Sequence, residues 1–114
     1  MSTLHASVAA GEPAPLIVLS GEADVTNTPQ LSELLDGQLA SGTQYLTVDV
    51  TGLSFADTSS IRTLLLAART LRQRGGDLVL LRPQPALARM LEILGAQQLL
   101  AIRDETEAAP GTEP

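Results

Sequence analysis

Short apolar runs recur along the chain, and a longer stretch with a different period follows most of them. Residues 16–19 and 78–81 are continuous apolar runs, and in residues 46–50 Leu and Val alternate with Thr and Asp. Runs of four or five such residues are typical of strands in a buried sheet. The pattern therefore predicts three strands, with a last short one at 99–102.

Three longer stretches carry apolar residues at helical spacing. The first follows Asn27 and Thr28, either of which can cap a helix, and stops at Gly42. The second begins around residues 58–60, and the third opens with prolines and stops at Gly95. Alternation of strands and helices predicts an α/β domain, with a mixed sheet of four to five strands packed by helices.

The two ends of the chain differ in composition from its middle. Residues 1–13 are small and polar, which predicts a flexible segment or, where Leu, Ala and Val alternate with polar residues at 4–8, a short edge strand. Residues 14–103 hold all the other periodic segments and predict one domain, as 114 residues allow. Residues 104–114 are acidic, with Pro and Gly, and predict a disordered tail.

Composition excludes several kinds of site. With no Cys, the chain cannot form disulfides, Cys-based zinc sites or a Cys nucleophile. All seven basic residues are Arg, so Schiff-base chemistry and a P-loop are also excluded. No apolar run reaches the roughly 18 residues of a membrane span, and the N-terminus lacks the basic start of a signal peptide. We therefore expect a cytoplasmic protein with no membrane partner.

Charge is distributed unevenly. The net charge of −6 argues against a nucleic-acid partner. Six Arg lie in residues 62–89, where only Asp77 opposes them, so this stretch carries +5 and the rest of the chain −11. The Arg side chains either mark a surface for an acidic partner or keep helix faces soluble. Leu66 and Ala67 add apolar surface there, which indicates a helix covered on two sides or an exposed binding patch.

The segment from residue 49 to residue 61 is the most informative. A strand is predicted to end near Val50, and after a short connection a helix begins with Asp57, Thr58, Ser59 and Ser60 at its N-terminus. These side chains could simply cap the helix. Alternatively, one hydroxyl could accept a phosphate, because a helix N-terminus offers free N–H groups and the positive end of a dipole. Such a phosphate adds a charge of about −1.5 to −2 to the surface.

Other chemistry finds little support in the sequence. His5 is the only His and lies in the N-terminal segment, away from any predicted nucleophile. Asp24, Asp49 and Asp57 could in principle gather around a divalent ion, but a strand position and helix-start positions account for them without a metal. No nucleophile–base pair and no cofactor motif is present, so we expect neither an enzyme nor a cofactor.

In the segment from residue 49 to residue 61 the chain resembles the STAS domain, and more closely the stand-alone bacterial anti-sigma factor antagonists. Residues 49–51 match the end of a strand in that family, 53–55 match a linker with Leu and Phe, and 57–59 match an Asp-Ser-Ser-Gly motif. Upstream, residues 21–24 with Asn27 and Thr28 are similar to the family's Gly-Glu-Leu-Asp stretch. Residues 75–80 and 91–96 also fit, so the resemblance covers about residues 14–103.

The resemblance implies a regulator controlled by phosphorylation. In that family the unmodified antagonist binds an anti-sigma factor, usually a serine kinase, which then releases its sigma factor. The kinase phosphorylates the second Ser of the motif from ATP, the product dissociates, and a phosphatase resets it. Mapped onto this chain, the acceptor is Ser59, Asp57 is the motif acid and Thr58 replaces the first Ser. The expected partner-binding residues beside the acceptor are Glu22, Asp24, Asn27, Ser60 and Arg62.

One departure from the family pattern bears on this interpretation. Ser60 stands where the family has Gly, so its side chain could hinder a kinase, and Ser60 and Thr58 offer competing hydroxyls. The alternative function is a constitutive STAS interaction module without phosphorylation, either an accessory subunit of a transport system or part of a signalling scaffold. The identities of the kinase, the sigma factor and the upstream signal do not follow from the sequence.

Overall fold

The computed structural model describes residues 2–9 and 14–104, so most of the predicted acidic tail, residues 105–114, lies outside the described part of the chain. The strands are β1 (Leu4–Ala9), β2 (Leu16–Ala23), β3 (Tyr45–Ala56), β4 (Asp77–Leu81) and β5 (Ala101–Arg103). The helices are α1 (Thr28–Ala40), α2 (Thr58–Gln73) and α3 (Pro85–Ile93), and a 3-10 turn spans Ala96–Gln98.

The strands form one sheet in the order β1-β2-β3-β4-β5. β1 is antiparallel to β2, and the other neighbours are parallel. The prediction of an α/β fold with a mixed sheet is therefore confirmed. The last strand starts at Ala101 and not at residue 99, because the 3-10 turn precedes it.

Alternate strand residues build a single core with the helices. Ile17, Val48 and Leu80 are level with one another in β2, β3 and β4, and none has measurable exposure. Their neighbours Val18 and Asp49 are on the opposite face of the sheet and are partly exposed. The buried residues of all three helices join the same core, namely Leu31, Leu35, Ile61, Leu64, Ala67, Ala68, Leu71, Leu87 and Leu91. Each large aliphatic side chain that is fully buried stabilises the fold by about 1.5–3 kcal/mol.

The prediction that a strand ends near Val50 is wrong, because β3 continues to Ala56. Beyond Asp49, which pairs with Leu81 at the end of β4, the remainder of β3 pairs with the end of β2 as far as Ala23 and Ala56. Gly52 permits this pairing, since a Cβ there would lie 2.9 Å from the Ser20 Cβ. This glycine therefore allows two strands to approach closely.

The first strand holds the end of β2 from the other side. Gly21 has a φ of +95°, and a Cβ at this position would overlap the Thr3 carbonyl oxygen. The Glu22 N–H donates to that carbonyl over 2.9 Å, and the Gln30 side chain of α1 donates to the Leu4 carbonyl over 3.1 Å. β1 thereby ties β2 to the first turn of α1.

The lengths of β2 and β3 place the start of α2 beside the loop between β2 and α1. The Asp57 N–H donates to the Ala23 carbonyl over 3.0 Å, which joins the two chain segments directly after their strands end. No helix in residues 2–9 and 14–104 is long and apolar enough to cross a bilayer.

Candidate functional site

Asp57 begins α2 as its N-cap residue. Its backbone is extended, with φ −86° and ψ 179°, and its side chain accepts a hydrogen bond of 2.9 Å from the Ser60 N–H. This geometry is the usual way in which an Asp side chain satisfies a free backbone donor at a helix start. Thr58 is the first helical residue and is exposed.

Ser59 is half-buried, and its hydroxyl has two oxygen neighbours. It donates to the Asp57 carboxylate over 2.8 Å. The hydroxyl of Thr28, at the start of α1, is 3.1 Å from the Ser59 Oγ. The Ser59 oxygen is therefore held between the first turns of two helices, at the edge of the surface and outside the core.

Ser60 is completely buried, and its hydroxyl donates to the same Asp57 oxygen over 2.9 Å. Helical spacing explains the burial, because Ser60 shares a face with Leu64, Ala67 and Leu71 of the core. Ser60 was expected to bind a partner or to compete as an acceptor, and the structure places its side chain out of contact with solvent. The burial of Ser60 could have been predicted from the sequence, because its helical spacing places it on the same face as Leu64 and Leu71.

The pKa of the Asp57 carboxyl lies below its ordinary value of 3.8. Partial desolvation raises the pKa of Asp57, but hydrogen bonds from the Ser60 N–H and from the hydroxyls of Ser59 and Ser60 outweigh this effect. The Val25 N–H lowers the pKa of Asp57 further. Asp57 is therefore a carboxylate at neutral pH and an acceptor of hydrogen bonds only.

The loop before α1 is fixed by its own side chains. The buried Asn27 side chain accepts from the Asp24 N–H and donates to the Glu22 carbonyl, both over 2.9 Å. Asn27 occupies the N-cap position of α1 but makes no capping bond with its side chain. Asp24 accepts from the N–H and hydroxyl of Thr26. A hydrogen bond from the Ser2 side chain, followed by those from Thr26, holds the pKa of Asp24 below its ordinary value.

Four exposed side chains belong to the chain segments that meet at the start of α2. Among the described residues, Glu22 and Arg62 are exposed and their side chains make no hydrogen bond or ion pair. Val25 is 69% exposed and Phe55 is 50% exposed, although both are apolar. Phe55 is next to Glu22 across the β2–β3 pair, and Val25 follows the end of β2 by two residues. Neither Val25 nor Phe55 is among the site residues expected from the sequence, because their exposure depends on the full length of β2 and β3.

The basic stretch of residues 62–89 divides into two groups. The first group, Arg72, Arg74 and Arg82, has partners within the fold. Arg72 forms an ion pair with Asp77 over 3.2 Å, and Arg82 forms one with Asp49 over 2.9 Å. Arg74 donates to the carbonyls of Leu39 and Thr43. Arg62, Arg69 and Arg89 are exposed and have no such partner within the described part of the chain. On α2, Arg62 and Arg69 flank Leu66, which is 58% exposed, whereas Ala67 is buried. One face of α2 therefore presents both basic and apolar side chains to solvent.

The three aspartates that could have gathered around a metal have separate local roles. Asp49 binds Arg82 and the N–H and hydroxyl of Thr51, Asp24 holds the loop before α1, and Asp57 caps α2. In the described residues, no group of three or more acidic or His side chains could hold a metal ion.

Comparisons with known proteins agree with this architecture. A family model described as "Mlab, STAS domain" matches residues 6–101. BtrV of Bordetella bronchiseptica, named as an anti-sigma factor antagonist, is 31% identical over 91 residues, which cover 80% of this chain and 78% of BtrV.

Solved structures share the fold at low sequence identity. An anti-sigma factor antagonist from Mycobacterium paratuberculosis has a TM-score of 0.83 at 17% identity, covering 91% of this chain and 88% of that one. Unphosphorylated SpoIIAA, an anti-sigma factor antagonist, has a TM-score of 0.73 at 21% identity, with 90% of each chain covered. The phosphorylated form of SpoIIAA, a Bacillus cell fate determinant, has a TM-score of 0.70 at 21% identity, covering 89% of this chain and 93% of SpoIIAA.

Proposed function

The chain belongs to the STAS domain family, and from that premise we propose that it is an anti-sigma factor antagonist controlled by phosphorylation of Ser59. Members of this family that act as antagonists are regulators and not enzymes. In this proposal, the unmodified chain binds an anti-sigma factor with serine kinase activity and so frees a sigma factor in the cytoplasm. The kinase then phosphorylates Ser59, and a phosphatase restores the binding form.

The observation that carries the proposal is the environment of the Ser59 hydroxyl. The oxygen is at the surface edge of a helix start, and it donates to a carboxylate 2.8 Å away. In the transfer, the Ser59 Oγ forms a bond to the γ-phosphorus of ATP, the bond from phosphorus to the leaving ADP oxygen breaks, and the Ser59 proton leaves toward Asp57. The Asp57 carboxylate accepts this proton during the transfer. Because the pKa of Asp57 lies below its ordinary value, the carboxyl group then releases the proton to solvent.

A phosphate at Ser59 would change the surface and leave the fold in place. The new dianion would stand beside the Asp57 carboxylate, so the local charge would become strongly negative. Val25 and Phe55, the exposed apolar residues near this position, are suitable for burial against a partner. An interface closed over them would then have to bury an unpaired dianion, which disfavours the complex.

Two facts about relatives support the proposal. BtrV and SpoIIAA are named anti-sigma factor antagonists, and SpoIIAA has been solved in both an unphosphorylated and a phosphorylated form. Each of those forms superimposes on this chain over at least 89% of its length. Ser60 in place of the family Gly does not weaken the proposal, because its side chain is buried under the helix start.

The experiment is incubation of the chain with ATP and a purified anti-sigma factor serine kinase that binds it, followed by intact-mass measurement. We expect one added phosphate on the wild type and none on Ser59→Ala. Thr58→Ala is the matched control, because it removes an adjacent, exposed hydroxyl and should keep the phosphate.

Binding without any added phosphate would favour the alternative, a constitutive STAS module in a transport system or a signalling scaffold. A phosphate that persists in Ser59→Ala would place the acceptor elsewhere. Either result overturns the proposal for Ser59.

A further inference from the structure

The Asn27 side chain joins the end of β2 to the start of α1. Asn27 occupies the N-cap position of α1, where an Asn side chain usually accepts from a backbone N–H of the first helical turn. It makes no such bond here. Instead, its Oδ1 accepts from the Asp24 N–H and its Nδ2 donates to the Glu22 carbonyl, both over 2.9 Å. The amide therefore holds the strand that comes before it and not the helix that follows.

Both ends of this amide are matched to their partners. A side-chain amide has an acceptor oxygen and a donor nitrogen, like a backbone peptide group. Turned around, the amide would place its oxygen against the Glu22 carbonyl and its NH₂ group against the Asp24 N–H, so both contacts would be repulsive. Only 8% of Asn27 is exposed, so water has little access to replace either contact. Asn27 is therefore held in one orientation beneath the loop.

These bonds continue the attachment that β1 begins. After the last paired residues of the two strands, the Thr3 carbonyl accepts one further bond from the Glu22 N–H, over 2.9 Å. The next bonds of this part of β2, at the Glu22 carbonyl and the Asp24 N–H, are made by Asn27. The Glu22 backbone is thus fixed at its N–H by one chain segment and at its carbonyl by another.

Asn27 also closes the turn that carries Val25. The Asn27 N–H donates to the Asp24 carbonyl over 3.0 Å, while the Asp24 N–H donates to the Asn27 Oδ1, so two bonds of opposite direction join these residues. Val25 lies within this turn and is 69% exposed, and Glu22, which precedes the turn, is also exposed. The buried amide thereby sets the backbone from which both exposed side chains project.

We infer that Asn27 is a positioning residue for partner binding, an inference that rests on the function proposed above. It holds the backbone of Glu22 and of the turn around Val25 in the shape that meets the anti-sigma factor, without touching that partner. Asn27 is among the partner-binding residues expected from the sequence, but its burial places it beneath the surface that a partner can reach. Without this support the two side chains would have to be ordered at the moment of binding, which weakens a complex.

The first test needs no partner. Amide hydrogen exchange followed by NMR should show the Asp24 N–H exchanging about twofold to tenfold faster in Asn27→Ala than in the wild type, the range expected for loss of one neutral hydrogen bond. Gln38→Ala removes an amide side chain near the end of α1 and should leave the exchange of Asp24 unchanged. Equal exchange of Asp24 in the wild type and Asn27→Ala would overturn the inference.

The second test measures binding of a purified anti-sigma factor by titration calorimetry. Asn27→Ala should raise Kd roughly tenfold, the cost of ordering two released side chains. Asn27→Asp should also raise Kd, because a carboxylate caps a helix as well as an amide but has no donor for the Glu22 carbonyl. Gln38→Glu makes the same change from amide to acid elsewhere on α1 and should stay within about twofold of the wild type. Wild-type affinity in either Asn27 variant would overturn the inference.

A double-mutant cycle separates positioning from a general loss of structure. In a protein that already carries Glu22→Ala and Val25→Ala, Asn27→Ala should raise Kd by less than about threefold, because the side chains that it positions are gone. An equal rise in both backgrounds would assign Asn27 a merely structural role and overturn the inference. Asn27→Asp keeps the shape of the side chain and takes the place of Asn27→Ala in the cycle if the alanine variant does not fold.

The two proposals fail in different ways. A wild-type chain that binds no anti-sigma factor overturns the proposed function, and the positioning role of Asn27 falls with it. A wild-type chain that binds and is phosphorylated on Ser59, with an unchanged Kd in Asn27→Ala, overturns the role of Asn27 alone.

Discussion

The helices α2 and α3 both follow a parallel strand of the same sheet, yet they begin with opposite chemistry. α2 starts at an Asp cap that gathers an N–H and two hydroxyls. α3 starts after Gln84, which makes no capping bond, and has Pro85 in its first turn. The Gln84 amide is directed back to the Thr51 carbonyl, over 2.9 Å. One helix start therefore holds two hydroxyls around a carboxylate, and the other is tied back to β3 by a side-chain hydrogen bond.

The length of β3 explains why the starts of α2 and α3 have different surroundings. β3 continues for seven residues after Asp49, the last residue that pairs with β4, and this corresponds to roughly 20 Å of extended chain. The start of α2 thereby lies beyond that of α3 and beside the loop between β2 and α1. The contact between Thr28 and Ser59 depends on this reach. Two helix starts in equivalent places of a topology therefore acquire different neighbours when one strand is longer.

The largest expected effect concerns partner binding. Ser59→Asp should weaken binding to the anti-sigma factor by more than about 30-fold, because an unpaired charge buried at an interface costs about 2–5 kcal/mol. Gln84→Asp places the same charge at the start of α3 and should leave the affinity within about twofold of the wild type. Titration calorimetry measures both variants, with circular dichroism as the check on folding. Equal losses in the two variants would remove the distinction between the two helix starts.

The second-largest expected effect is the loss of stability when the Asp57 cap of α2 is removed. Asp57→Ala loses an N-cap, worth about 0.5–2 kcal/mol, and leaves the buried Ser60 hydroxyl without its acceptor, at a further cost of about 1–3 kcal/mol. Gln84→Ala removes no capping bond and should cost less than about 1 kcal/mol. Urea unfolding of both variants gives the two free energies. A Gln84→Ala protein that is as unstable as Asp57→Ala would contradict the assignment of the cap.

The contribution of Asp57 should also depend on pH. Since the folded-state pKa of Asp57 lies below the ordinary value of 3.8, the stabilisation is complete above that value and is lost as the pH falls through the folded pKa. The difference in unfolding free energy between the wild type and Asp57→Asn should stay constant from neutral pH to about pH 4 and shrink below it. Urea unfolding at a series of pH values tests this. A difference that grows on acidification would have the wrong sign.

The smallest effect is expected at Ser60. Ser60→Ala removes one hydrogen bond inside the core and should change the unfolding free energy by no more than about 1.5 kcal/mol. Its phosphorylation rate should stay within about twofold of the wild type, because the side chain is away from the surface that a kinase approaches. Ser60→Gly should unfold more easily than Ser60→Ala by about 1 kcal/mol, with no gain in rate. A markedly faster Ser60→Gly would show that the side chain obstructs access after all.

Much of the fold could be predicted from local patterns. The three helices and the central strands follow from periodicity, because their apolar faces are continuous in sequence. The continuation of β3 to Ala56 could not be predicted in this way. Thr51, Gly52 and Ser54 have the composition of a loop, and they form a strand only because the end of β2 pairs with them. Tertiary pairing therefore overrode local preference at the place that sets the position of α2.

The candidate site was predictable only in part. Asp57 as a cap and Ser59 at a helix start follow from the motif and from capping rules. Burial of Ser60 was available from its helical phase with Leu64 and Leu71. The contact between Thr28 and Ser59 was not, because it requires the packing of α1 against α2 across 31 residues. Exposure of Val25 and Phe55 likewise depends on the full length of β2 and β3.

The attachment of β1 has a practical consequence for recombinant work. The Thr3 carbonyl accepts from the Glu22 N–H and the Leu4 carbonyl accepts from Gln30 of α1, so a folded sequence fused directly upstream would lie beside the support of the β2–α1 loop. An affinity handle placed there risks disturbing the surface that a pull-down is meant to sample. A handle appended after the last residue of the chain keeps β1 free, and it is the sensible choice when binding proteins are sought in cell extracts.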